Sequence, residues 1–384
     1  MKWIEGNRLT QSGQWQTARI GIDGARIAVV KAYHTYHPEL SILAPGFIDI
    51  HVHGGGGADT MDATIEAFSQ IAQTHAQSGT TSLLLTTVTE SAERIDAVLT
   101  AASSYMKGNH IAGAHVLGVH LEGPFIHPDK AGAQRPDRIM DPDPTLAKKW
   151  YDSGVVKMIT LAPERPGAHQ VARMAHEQGI VAAAGHTTAT AADMRIAVDE
   201  GGFSHVTHLC NAMRPLLHRE PGPIGCVVTD ERLTGDLICD GIHVDAPMVT
   251  TLIRAIGEDR LLLITDAIRA TAQPPGIYDL GGLTVTVRDG ACRLEDGTLA
   301  GSVLTMAQAV SGVQRLAGVS LSVALRLAAR NPARRLGLLN KGEVEVGYDA
   351  DMVCLDAQGE LCWTMVGGAV VYERGVQGHA HSRV

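Results

Sequence analysis

A chain of 384 residues, 45% hydrophobic and 19% charged, can bury one large core and a smaller one beside it, which excludes bulk disorder. Its formal net charge of −9 excludes the broad basic footprint of a nucleic-acid binder, so an anionic substrate would have to be met by a local pocket. Six cysteines without a CxxC pair or regular spacing suit a reduced protein, no apolar run reaches membrane-spanning length, and Met1–Arg8 holds no apolar leader core; a soluble, cytoplasmic protein without membrane contact is expected.

The first segment, to about Leu43, reads as short strands: Ala18–Ile22 and Arg26–Val30 flank Asp23-Gly24, a hairpin signal. From Ala44-Pro45-Gly46 the pattern becomes strand then helix, repeated. Strands are predicted at 46–52, 80–86, 115–121, 155–161, 180–184, 203–207, 234–239 and 261–265. Helical periodicity fills most of the gaps, at 62–78, 92–106, 144–153, 168–178, 191–200 and 246–256, and returns at 303–316. Strands alternating with helices imply a parallel sheet with crossover helices, most simply closed as a TIM-like (β/α)8 barrel. An open doubly wound sheet is the alternative, but its ligands would gather at one crevice and not draw on five strands. Between Gly276 and Gly301, alternating residues before Asp289-Gly290 predict a β-hairpin insertion. After a helix at 321–329, Asn331-Pro332 is expected to stop the barrel, and strand-like pieces return at 342–346, 351–355, 361–366 and 369–373. The two ends together have the composition of one small β-sandwich domain, residues 1–44 and 335–384, split by a barrel at 45–334, with a frayed tail from Arg374.

Six potential metal ligands stand at the C-terminal ends of short apolar runs. They are His51 and His53, Glu122, His186, His208 and Asp266. In a parallel barrel those ends converge on one face, so residues far apart in sequence meet around one volume. Residues two apart on a strand point to the same side, so His51 and His53 can both face inward, and Gly54–Gly57 after them lets backbone pass close to a ligand. A carboxylate such as Glu122 at a strand end is poorly explained as core, since buried charge must be paired or metal-bound. Imidazole and carboxylate suit zinc or a similar divalent ion. Asp266 beside an activated water can take its proton and later pass it to a leaving group.

The run Pro45-Gly46-Phe47-Ile48-Asp49-Ile50-His51-Val52-His53-Gly54 resembles the opening of the amidohydrolase superfamily. The segments 120–125, 184–187, 207–213, 218–222, 265–267 and 299–306, with Asn331-Pro332-Ala333-Arg334, are similar to the N-acetylglucosamine-6-phosphate deacetylases. The resemblance covers nearly the whole chain. It implies that Glu122, His186 and His208 bind the principal divalent cation, with zinc expected, and that His51, His53 and Asp266 with a bridging Glu122 hold a second, giving one or two ions per subunit. It implies Asp266 as general base, then acid. It places Asn211 and Ala212 at the substrate phosphate, His243 on the substrate, and Met306 beside the acetyl pocket, core filling being the other reading of that Met. Arg219 matches a phosphate-binding arginine that reaches in from a neighbouring subunit, which implies a homodimer. One departure stands out: where the family places a His twelve residues after the ligand Glu, to polarise the scissile carbonyl, this chain has Gln134. A Gln amide can donate to a developing oxyanion, or His127 on the same loop can take over.

The activity this implies is hydrolysis of the acetamide of N-acetylglucosamine 6-phosphate, a small-molecule substrate. The galactosamine epimer is the near rival, because motifs do not report a C4 hydroxyl. A different amidohydrolase would leave Arg219 without purpose, and a scaffold that had lost its chemistry would show eroded ligands.

Overall fold

The computed structural model describes residues 1–108 and 112–375. Strands β1 (Lys2–Leu9), β2 (Trp15–Asp23), β3 (Arg26–Ala32) and β4 (Ile42–Pro45) form from the first segment. The barrel follows as β5 (Phe47–Val52), β6 (Thr80–Thr86), β7 (His115–Glu122), β8 (Val156–Leu161), β9 (Val181–Ala184), β10 (His205–Val206), β11 (Thr234–Ile238) and β12 (Leu261–Ile264). All pair in parallel in chain order. They read as continuous apolar runs because helices cover the outside while the barrel interior fills with side chains. The seam between β12 and β5 is made by a Val52–Ala267 bridge and by Asp266 N–H donating to His51 O at 3.0 Å. Asp49, fully buried on β5, adds a side-chain tie by accepting from Thr265 Oγ1 at 2.6 Å.

The crossover helices α1 (Ile65–Ala76), α2 (Ala92–Lys107), α3 (Pro144–Tyr151), α4 (Ala168–Glu177), α5 (Ala191–Gly201), α6 (Gly222–Thr229), α7 (Ala246–Ile256) and α8 (Met306–Ala317) start mostly at side-chain caps. Thr190 of α5 and Thr305 of α8 close capping boxes with Asp193 and Gln308, answering backbone N–H groups that have no partner inside the helix. Helix α6 escapes periodicity because it is buried nearly all round, from Gly222 to Val227, and so has no polar face to alternate with.

Three expectations are corrected. The segment 276–302 is not a hairpin but a four-stranded antiparallel sheet, β13 (Gly276–Leu280), β14 (Leu283–Arg288), β15 (Ala291–Arg293) and β16 (Leu299–Ser302). The helix expected at 321–329 does not end there. A wider π turn at Arg326–Arg330 leads into a further helical segment, Asn331–Arg335, relieving the ladder of the N–H that Pro332 lacks. Residues 342–346 form no strand; Val344 is buried, and its carbonyl accepts from the Arg8 guanidinium at 2.8 Å in place of a neighbouring strand.

Strands β17 (Met352–Leu355), β18 (Leu361–Val366) and β19 (Ala369–Glu373) join the first four in one seven-stranded sheet ordered β19-β18-β17-β4-β1-β2-β3. It backs a second, smaller core of Ile20, Ile22, Ile27, Leu43, Val344, Ala350, Met352, Cys354 and Met365. Both ends of the chain thus build the small terminal domain beside the barrel. Beyond Gly375 the expected frayed tail lies outside the described residues.

Candidate metal centre and substrate cavity

His51 lies near the end of β5 and His53 directly follows it, Glu122 ends β7, and His186, His208 and Asp266 follow β9, β10 and β12 within two residues. All six are buried, at 8% exposure or less. Their donor atoms converge as two triads, His51–His53–Asp266 and Glu122–His186–His208. Glu122 Oε1 lies 3.0 Å from His208 Nε2 and 3.2 Å from His186 Nε2, while Oε2 lies 3.3 Å from His53 Nε2. Asp266 Oδ1 is 3.2 Å from His53 Nε2 and 3.4 Å from His51 Nε2. His186, His208 and Asp266 have φ of +46°, +34° and +52°, the left-handed region that non-glycine residues enter at an energetic cost. Each turns the chain sharply at a strand end, where a regular strand would carry it on past the mouth.

The electrostatics ask for positive charge. Burial opposes ionisation of Glu122, yet His51 and His186 beside it hold its carboxyl well below the usual range. Burial likewise opposes Asp266, but His51 and His53 bring it to about 2. Burial disfavours charge on His208 and His53, and still the facing carboxylates lift His208 to about 9 and His53 well above its ordinary value. Without a cation these side chains balance their charge only by protonating imidazoles. A divalent cation supplies the same charge and leaves the imidazoles as neutral ligands, so the donor set fits such an ion.

A buried polar layer lies beneath the ligands. His120 presents Nδ1 to Ile50 O at 3.0 Å and Nε2 to Thr160 Oγ1 at 2.7 Å, and burial keeps it far below its ordinary pKa, hence neutral. Asp236 of β11 accepts from His205 Nε2 at 2.9 Å and from the backbone N–H of His208. The loop after β7 grips two ligands at once. His186 Nδ1 donates to Lys130 O at 2.7 Å, which leaves Nε2 as the lone-pair nitrogen. Gln134 Nε2 donates to Glu122 Oε2 at 2.6 Å, and its Oε1 accepts from Thr89 N–H at 2.6 Å. Asp49, Asp236 and His120 were not singled out in the sequence, although a charged residue inside a strand buried on both faces must have a partner.

Above the ligands opens a cavity of about 350 Å³, within the range of small-molecule sites. His53, Glu122, His186, His208 and Asp266 form part of its wall, with Gln134, Asn211, Ala212 and His243; Leu280 of β13 and Leu299 of β16 close it from the insertion. His243 is held by Asp240, whose Oδ2 lies 2.6 Å from its Nδ1. The N–H of Asn211 is spent on His208 O at 2.9 Å. Three expected residues stand apart from the wall. The His127 ring accepts from Asp129 N–H at 3.1 Å, Arg219 is exposed on the loop preceding α6, and Met306 is fully buried at the start of α8.

Among known proteins, residues 42–371 match the Amidohydrolase family. An N-acetylglucosamine-6-phosphate deacetylase of Bacillus subtilis is 37% identical over 95% of each chain. An N-acetylgalactosamine-6-phosphate deacetylase of Escherichia coli O157:H7 is 36% identical, over 91% of this chain and 93% of its own. The solved structure of the N-acetyl-D-glucosamine-6-phosphate deacetylase from Mycobacterium smegmatis, an aspartate-to-alanine variant in complex with N-acetyl-D-glucosamine-6-phosphate, matches at a TM-score of 0.90 and 34% identity, over 96% of this chain and 98% of that one. The family match, the shared fold and the similarity along nearly the whole length agree: the chain belongs to the amidohydrolase family and, within it, to the N-acetylglucosamine-6-phosphate deacetylases.

Proposed function

We propose that this protein hydrolyses the acetamide of N-acetylglucosamine 6-phosphate to glucosamine 6-phosphate and acetate. The observation that carries the reading is the convergence of two ligand triads, five of whose six residues line one cavity, Asp266 among them. Glu122, His186 and His208 would hold one divalent cation and His51, His53 and Asp266 a second; zinc suits these donors. When bound, such an ion lowers the pKa of water toward neutrality and polarises an amide carbonyl. The side chains do the rest. Asp266, ionised across the neutral range, accepts the proton of the attacking water on a carboxylate oxygen and delivers it to the departing sugar nitrogen, so that an amine leaves and not an amide anion.

His243, oriented by Asp240, would bind a sugar hydroxyl, and the turn at Asn211-Ala212 would face the phosphate. Arg219, exposed and outside the cavity of its own subunit, would serve a partner's cavity in a homodimer, where a guanidinium suits phosphate. A cytoplasmic location fits the reduced cysteines, and among the described residues no helix is long and apolar enough to cross a membrane.

The galactosamine epimer is the second reading, favoured by the 36% identity to the Escherichia coli O157:H7 relative. Acetate release from both N-acetylhexosamine 6-phosphates, with and without a chelator, separates the two. Release from the glucosamine compound that stops on chelation is expected; higher kcat/KM on the galactosamine compound would replace the assignment.

A further inference from the structure

Resting on the reading of a cation-dependent site, we propose that Gln134 is a positioning residue that holds Glu122 astride the two ligand triads, one carboxylate oxygen toward each. The surroundings decide which way its amide points. Thr89 N–H can only donate, so the atom 2.6 Å from it is the amide oxygen. The amide nitrogen therefore faces Glu122 Oε2, at 2.6 Å, and donates to it. Oε1 has His208 and His186 as its nearest imidazoles at 3.0 and 3.2 Å, with His51 farther off at 3.5 Å, and Oε2 looks toward His53 at 3.3 Å. A carboxylate free to turn has another option, which is to place both oxygens on a single cation. The bond from Gln134 removes that freedom, because turning Glu122 would strand a buried donor and a buried acceptor away from water.

The anchor itself is rigid. Gly123 follows Glu122 at φ +75°, and a Cβ there would come within 2.1 Å of Thr89 Oγ1, so Thr89 lies directly against the strand end. Gln134 closes a turn through its own N–H to Ala131 O at 2.9 Å, and the same loop receives His186 Nδ1 on Lys130 O. One segment thus sets two ligands of one triad and fixes which oxygen of Glu122 is left for the other.

Metal bound per subunit, measured by plasma mass spectrometry after equilibration in graded zinc buffers, reads this directly. Wild type is expected to bind two ions. Gln134→Ala should keep the tighter ion and bind the second about 10–100-fold more weakly, the usual effect of removing a group that supports a ligand. Gln134→Met keeps the side-chain length without the donor and should behave alike; it carries the test if the alanine variant folds poorly. Gln134→Met leaves the buried Thr89 N–H without its acceptor, so the chelated variant should melt lower under either role; weakening of the second ion alone, with the first held at wild-type affinity, is the readout that a merely structural role would not give. Equal affinity for both ions in wild type and variants, or a single ion in wild type, overturns the proposal. The substrate is tested separately. Active wild type whose variants keep both ions removes only the role of Gln134, whereas inactive wild type whose variants lose the second ion removes only the assigned substrate.

Discussion

On the proposed mechanism Asp266 sits where two demands meet: it would help hold a cation and would also shuttle a proton. Asp266→Asn keeps shape and one metal-facing oxygen but abolishes the base. The expected result is a fall in kcat of about 10²–10⁴-fold with KM little changed, followed by acetate release at saturating substrate. A fall confined to KM would show that Asp266 only binds. At this scale the sequence was most legible where chemistry is costly to misplace. The six candidate ligands that the fold gathers into two triads could be named because imidazoles and carboxylates at the ends of apolar strands have no comfortable structural use. Their supports were harder to see, since Asp236 and His120 become meaningful only once β11 lies beside β10 and β7 beside β8. Gln134 illustrates the same limit. Its identity and spacing offered it to a carbonyl, whereas the folded loop turns its amide nitrogen to Glu122.

Helices and strands constrain one another at contacts that residue type alone does not reveal. Gly312 lies within α8, where Ala would normally be better by about 1 kcal/mol. Here a Cβ would stand 2.2 Å from the backbone oxygen of Cys239, at the end of β11. Gly312→Ala should therefore destabilise by about 1–3 kcal/mol in denaturant melts, since overpacking against backbone outweighs propensity; a stabilised variant would mean that α8 can move aside. His75 of α1 is fully buried and tied through Nε2 to Gly54 O at 3.0 Å, beneath the glycine loop that follows His53. Burial depresses its pKa from 6.5, so below that pH the unfolded chain takes up a proton that the folded one refuses. The contribution is complete above the unfolded value and is lost as pH falls below it. His75→Gln can still donate to Gly54 O but cannot titrate, so its denaturation midpoint should change less than wild type's between about pH 7.5 and about pH 5.5. Parallel slopes would contradict this. The element pattern was readable wherever periodicity survived, and failed for α6, whose sides are all buried, and for 342–346, where a guanidinium replaces a strand partner.

For the whole molecule, bound metal is one lever and the proposed second subunit would be another. A cation present at a hundredfold excess over its Kd adds about 2.7 kcal/mol, so in a chain of this length chelation should lower Tm by about 3–4 °C per ion, and readdition should restore it. No shift would show that the triads do not bind metal in the folded state. If Arg219 serves its neighbour, Arg219→Ala and Asp266→Asn should complement each other when unfolded and refolded together. Random symmetric pairing leaves half the dimers mixed, each with one complete site, so about a quarter of wild-type activity should return. Activity no higher than the sum of the separate variants would place Arg219 in service of its own subunit or of none.

The seven-stranded sheet has a consequence for how the chain is made. Strand β4 bonds to β1 on one side and to β17 on the other, so the edge carrying Ile42 and Leu43 stays uncovered until its distant partner arrives. About 300 residues must be translated in between, which takes a ribosome roughly 15–60 s. During that interval the nascent amino-terminal sheet offers an open edge to any strand nearby, including one from a neighbouring polysome. Stop codons placed before Met352 should thus yield inclusion bodies even though every ligand of the barrel has already been synthesised.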